Sequence, residues 1–341
     1  MKRHHAGSCQ PSAGDCMRSD QVAKYRVPVL TKVTTMLFLT CIWTPALRAQ
    51  IGTGFSTIDP PQSVFTLAFD INDHHKIVGT YYDADGLGHG FLRTEDGRFV
   101  TIDHPRAQTI NGFGTEARGI NSSGQIVGDY CAAPPCDGVS VIKGYLLTPD
   151  RDNNAEFAED DFKTLETPGH INSYLQHINE EADIVGCEHD TDTMESMHGI
   201  VWHDGKVTRY PVPFSMNNGI NERKEIVGFY VDASTGIRHS YLLRKGVATL
   251  IDFPSATATL AWGMNNRRQV VGWYQKKDGV VHGFIWQEGR FTSVDIPGAT
   301  ETVVLGINSV GDIVGIYVDA TTGHGFLLRA KDTESGGSDD K

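Results

Sequence analysis

Six copies of one short pattern run through most of this chain, and they limit its fold more than any other feature. Each copy reads aliphatic-Ile-Asn, a short turn, Ile-Val-Gly, an aromatic pair, a polar turn, then His-Gly-Phe-Leu. The anchoring asparagines are Asn72, Asn121, Asn179, Asn221, Asn265 and Asn308, spaced by 49, 58, 42, 44 and 43 residues. A repeat of this length is one supersecondary unit that buries its apolar face only against neighbouring copies. Stretches such as Ile77-Val-Gly-Thr-Tyr-Tyr82 are short, β-branched and aromatic, and turn residues bound them on both sides, so they read as strands. Asn121-Ser-Ser-Gly124 has the order of a tight hairpin turn. No helix-period stretch of useful length follows residue 50.

Four short antiparallel strands per unit give the size of a propeller blade. The last copy ends at Gly325-Phe-Leu-Leu328 without the Ile-Asp strand that closes its relatives (Phe99-Val-Thr-Ile-Asp103, Phe291-Thr-Ser-Val-Asp295). An orphan of that strand, Phe55-Ser-Thr-Ile-Asp59, stands ahead of the first copy. Placed in the last blade, it closes the ring and leaves no blade incomplete. The expectation is an all-β, six-bladed β-propeller over residues 50–330, closed by the strand at 55–59. Residues 331–341 form a polar, charged tail expected to be disordered.

Residues 1–49 read as a secretory signal with an upstream extension. Lys24, Arg26 and Lys32 precede the apolar run Met36–Trp43, then Pro45 and Ala46-Leu-Arg-Ala49. The apolar run falls far short of the roughly 20 residues of a spanning helix, so the expected product is exported, secreted or periplasmic, and does not span a membrane. The 341 residues carry −12, but 1–49 hold seven Lys/Arg and two Asp/Glu; the remainder has 23 basic and 40 acidic residues, a net of −17. That sign argues against nucleic acid. After cleavage Cys131, Cys136 and Cys187 remain. Cys131 and Cys136 are placed to close a small disulfide loop, which export permits.

Gly119-Ile-Asn-Ser-Ser-Gly-Gln-Ile-Val-Gly128, His282-Gly-Phe-Ile-Trp286 and Phe291-Thr-Ser-Val-Asp295-Ile-Pro-Gly298 resemble the HAF-type extracellular repeat of exported bacterial proteins. The resemblance covers nearly the whole chain after residue 50. It implies a secreted bacterial repeat protein and carries over no catalytic residue.

Internal repetition supplies its own control, since a residue present in every copy is explained by the blade. On that basis the six asparagines pin turns through their own backbone. His89, His198, His239, His282 and His324, with Lys143 in the sixth place, are expected to bond backbone rather than a metal. Asp59, Asp103, Asp252 and Asp295 end strands, and Tyr82, Tyr130, Tyr230, Tyr274 and Tyr317 pack between blades. Departures from the pattern gather in the second and third copies. Asp129 stands where others have Thr, Phe, Trp or Ile, and Glu188 replaces the tyrosine. Asp150, Asp152 and Asn154 open like a calcium loop, although Ala155 stands where that loop needs glycine, so a solvated acidic loop competes with a calcium site. No other cofactor is implied.

Two functions follow, beside the alternative of a purely structural, calcium-stiffened surface protein. The first is a non-catalytic binding propeller for an extracellular glycan or surface protein, with Tyr130, Trp262 and Trp273 as stacking candidates. The second is an extracellular lyase or hydrolase in which Asp129, Glu188 and His189, with His177, supply acid and base.

Overall fold

The computed structural model describes residues 55–108, 112–134, 141–149, 157–167, 169–191 and 196–330. The expected signal region 1–49 and tail 331–341 lie outside the described residues, as do Cys136, Asp150, Asp152 and Asn154.

The chain opens with β1 (Phe55–Ile58) and then lays down blades in order. Blade 1 is β2 (Phe65–Ile71), β3 (Ile77–Tyr82), β4 (Gly88–Arg93) and β5 (Phe99–Ile102). Blade 2 is β6 (Thr115–Ile120), β7 (Ile126–Ala133), β8 (Val141–Leu147) and β9 (Phe162–Leu165). Blade 3 is β10 (Asn172–Ile178), β11 (Ile184–His189), β12 (Met197–His203) and β13 (Lys206–Pro213). Blade 4 is β14 (Ser215–Ile220), β15 (Ile226–Val231), β16 (Arg238–Arg244) and β17 (Val247–Leu250). Blade 5 is β18 (Ala258–Met264), β19 (Val270–Gln275), β20 (Val281–Gln287) and β21 (Arg290–Val294). Blade 6 has β22 (Glu301–Ile307), β23 (Ile313–Val318) and β24 (Gly323–Leu328), and β1 pairs with β24 as its fourth strand. Phe55 faces Leu328 and Ile58 faces Gly325 in that closing ladder. Every neighbouring pair is antiparallel, and the expected six-bladed closed ring is the observed one.

Apolar slabs fill the spaces between blades. Val78, Leu92 and Ile102 of blade 1 meet Ile120, Ile126 and Tyr145 of blade 2, for example. Equivalent slabs recur at the other five junctions. The first strand of every blade also carries a register shift of one residue. The shifted residues are Phe69, Arg118, Gln176, Asn218, Trp262 and Leu305, and all are buried. A bulge bends and twists its strand, and here it explains the glycine of Ile-Val-Gly. A Cβ on Gly272 would lie 2.0 Å from the Leu260 carbonyl oxygen, and on Gly128 1.9 Å from that of Glu116.

The asparagines do more than pin turns. Asn72 Oδ1 accepts from the backbone N–H groups of His74 and Lys76, each at 3.0 Å, as expected. Its Nδ2 also donates to the Asn121 carbonyl of the next blade at 3.0 Å. The same step links Asn121 to Asn179, Asn179 to Asn221, and Asn265 to Asn308. A second belt lies one residue further on. Glu180 N–H donates to Glu222, Glu222 N–H to Asn266, and Ser309 N–H to Asp73 across the closing seam. These belts surround the axis at a funnel with room for about 100 Å³, little more than a few waters.

Candidate functional site

The repeated histidines bond carboxylates, which corrects the expectation of a backbone partner. His89 Nδ1 lies 2.9 Å from Asp103, and His239, His282 and His324 lie 2.7 Å from Asp252, Asp295 and Asp59. Lys143 and Glu166 keep the same arrangement in blade 2. The strand-ending aspartates are therefore half of an interstrand pair. A tyrosine stacks on each ring: Tyr81 on His89, Tyr230 on His239, Tyr274 on His282 and Tyr317 on His324. The register makes Tyr81, not Tyr82, the blade 1 member. The tyrosine hydroxyls bond a hydroxyl on the outer strand, in the pairs Tyr81–Thr101, Tyr130–Thr164, Tyr274–Ser293 and Tyr317–Thr57. Asp103 raises the pKa of His89 through the hydrogen bond they share, against the opposing pull of burial.

Blade 3 replaces this hydroxyl pair by charge. Glu188 occupies the tyrosine position, opposite His198. Arg209, opposite Ile200, occupies the position of Thr101 opposite Phe91, and its guanidinium binds Glu188. Arg209 also donates to Asp190 at 3.0 Å, and His170 lies 2.5 Å from Asp190 and 3.6 Å from Glu188. His198 approaches Asp190 at 3.8 Å. Glu188 is 1% exposed, whereas Asp190 and Arg209 reach solvent. The group sits on the face opposite the asparagine turns, where second strands pass to third and fourth strands pass to the next blade.

Asp129 lies deeper. It is fully buried on β7 and accepts from Arg118 Nε at 2.8 Å, and Arg118 also binds Glu116 and reaches Gln176 of blade 3 at 3.3 Å. Arg118 further stacks on the Phe69 ring, 4.8 Å from its centroid. Asp129 and Glu188 are thus each held by a different arginine. His189 is buried, 3.4 Å from the Cys187 sulfur. His177 lies 3.3 Å from Asp70 and lines the axial funnel. It is three rungs along the β10–β11 ladder from the Glu188 position, about 10 Å at the strand rise. These four residues therefore do not form one acid–base centre.

The aromatic candidates are mostly internal. Tyr130 and Trp262 are each 3% exposed. Tyr130 stacks face to face on His104 at 3.6 Å, and Trp262 packs beside Phe69 and Leu305. Neither ring offers a face to a saccharide, since packing between blades has used both sides. Trp273 is half-buried against two core clusters. Cys131 is disulfide-bonded and Cys187 is a buried thiol; Cys136 lies outside the described residues. Among the described residues no group of three or more His, Cys, Asp or Glu is arranged to hold a metal, and no helix is long and apolar enough to cross a membrane.

The fold defines the chain as a closed six-bladed β-propeller. No family model matches the sequence, and no curated protein matches it. Among solved structures it is similar to the Aleuria aurantia lectin in complex with Fucα1-6GlcNAc, at 13% identity and a TM-score of 0.47, covering 81% of this chain and 95% of that one. It is also similar to the β-propeller domain of the trilobed protease from Pyrococcus furiosus, at 12% identity and a TM-score of 0.46, covering 78% and 96%.

Proposed function

We propose that this protein is an exported, non-catalytic binding propeller of the HAF-repeat type, presenting the loops opposite its asparagine turns to an extracellular glycan or surface protein. Residues 1–49 act as its export signal in this reading, and residues 50–330 form the binding unit. The observation that carries it is the Glu188–Arg209 pair, which takes the structural place of the Tyr–Thr pairs in other blades. The most suspect carboxylate of the chain thereby acquires a blade-building role, and Asp129 acquires one through Arg118.

A lyase or hydrolase remains the competing reading because His170, Glu188, Asp190 and His198 gather on the same face. A panel of soluble polysaccharides assayed for both retention and new reducing ends separates the two. Retention without cleavage is the expected result. Cleavage that disappears in Glu188→Gln overturns it in favour of the enzyme.

A further inference from the structure

The junction of blades 4 and 5 contains, on that same face and apart from the Glu188 group, a cavity of about 410 Å³. One wall is the loop after β17, with Phe253, Pro254 and Ser255. The other is Tyr274 and the β19–β20 hairpin, with Lys276 and Lys277. Phe253 lies flat on Tyr274 at 3.6 Å with 3° between the rings, which fixes an aromatic floor. Tyr274 is buried, but Phe253 is only half-buried and both lysines are exposed.

The hairpin breaks the repeat by charge. Lys276 directly follows the second strand of its blade, where blades 1, 4 and 6 place Asp83, Asp232 and Asp319. In blades 1 and 6 that carboxylate lies 3.6 and 3.4 Å from the Nε2 of His89 and His324. In blade 5 the sign is reversed, and the turn is pinned instead by Asp278, whose Oδ1 accepts from Val280 N–H at 3.0 Å. The carboxylate beside Phe253, Asp252, is bound to His239 and to Ser240 N–H. Lys276 Nζ stands 5.9 Å from the Tyr274 ring centroid. Among the described residues neither lysine has an ion-pair partner within 4 Å. The lining thus sets two unpaired ammonium groups against one carboxylate, Asp278, whose Oδ1 is taken by the turn, and an aromatic surface with that net positive charge suits a ligand with an apolar ring face and a negative charge.

We infer that this cavity binds an anionic sugar residue, a ring carrying carboxylate or sulfate, with Phe253 against the ring and Lys276 and Lys277 on the charge. The inference rests on the binding-propeller reading and adds a ligand class and a place.

Calorimetric titration of the purified protein with oligogalacturonate, a sulfated galactan oligomer and their neutral counterparts tests it. The charged oligomers should bind at least about tenfold more tightly than the neutral ones, the ratio expected of one charge-assisted hydrogen bond. Lys276→Asp with Lys277→Gln should abolish that preference by a similar factor without altering the melting curve, since aspartate already occupies the equivalent place in three blades. Phe253→Leu should weaken charged and neutral oligomers alike. Undiminished binding of charged oligomers to the lysine variant, or binding of neutral oligomers alone, overturns the inference and leaves the propeller a glycan binder. Failure to bind any oligomer in either series overturns the inference, while the binding-propeller reading stands or falls on the separate retention and cleavage panel.

Discussion

Replacing Arg209 and Glu188 by the residues of the other blades gives the most direct test of how blade 3 is held. Arg209→Thr leaves a carboxylate that is 1% exposed with His170 at 3.6 Å as its nearest remaining basic group. Removing one partner of a buried ion pair costs about 3–5 kcal/mol. Arg209 is itself 40% exposed, and solvent screening reduces the expected loss to roughly 2–3 kcal/mol. Glu188→Tyr alone places a hydroxyl against a guanidinium that keeps Asp190 as a partner, so it should cost roughly 1 kcal/mol. The double variant rebuilds the Tyr–Thr pair seen at Tyr81–Thr101 and should recover most of the loss, a coupling of roughly 2 kcal/mol. Urea midpoints for the wild type, both single variants and the double variant give this number directly. Melting temperature should fall by about 5 °C in Arg209→Thr and return close to wild type in the double variant. Additive losses would refute the equivalence of the two pairs, and the structural role of Glu188 with it.

Gly272→Ala sets a Cβ against the Leu260 carbonyl and should cost about 3 kcal/mol or more in a urea titration, whereas Gly279→Ala, in an open turn at φ 87°, should cost only about 1 kcal/mol. Burial lowers the His104 pKa to about 4, with Arg106 adding to the effect. The unfolded chain therefore takes up that proton first, and stability falls as pH drops from about 6.5 towards 4. His104→Phe, which copies Phe253, should remove on the order of 2 kcal/mol of that loss at pH 5, read from paired unfolding curves at pH 5 and 7. His89 has the opposite sign: its raised pKa adds stability that is complete below about pH 6.5 and lost as pH rises through the folded value, and Asp103→Asn should flatten that dependence.

The ring was legible because blade construction repeats its chemistry. Ile-Val-Gly marks the strand facing the bulge, and the orphan Phe55–Asp59 segment marks the seam. What escaped was whatever depends on register across strands that are distant in sequence. Tyr81 and Tyr82 are indistinguishable in a list of letters, and only the pairing with His89 selects Tyr81. The His–Asp bonds were within reach, since both residues recur in nearly every copy, but their 13- to 14-residue separation hides that they adjoin. Glu188 stood out as an anomaly while its partner Arg209 did not, because the outer strand of blade 3 matches its relatives poorly: it is longer, and two prolines interrupt it. The reach of Asn72 into the next blade had no sequence signature apart from the repetition already used to explain its turn.

The position of β1 also governs how the molecule is made. The strand emerging earliest must wait for β24, and its Asp59 bonds a histidine 265 residues further along the chain. Contacts between such distant segments pay a large loop-closure entropy before they stabilise anything, so formation of the seam should be the slow step of folding. Until then the free side of β24 is an open template for any extended peptide. A chain beginning at residue 60 should therefore self-associate, and a synthetic peptide spanning residues 50–59 should suppress that association by taking the vacant place. Once the seam has formed, the same strand that completes the ring leaves β24 no free edge on which a neighbouring molecule could pair.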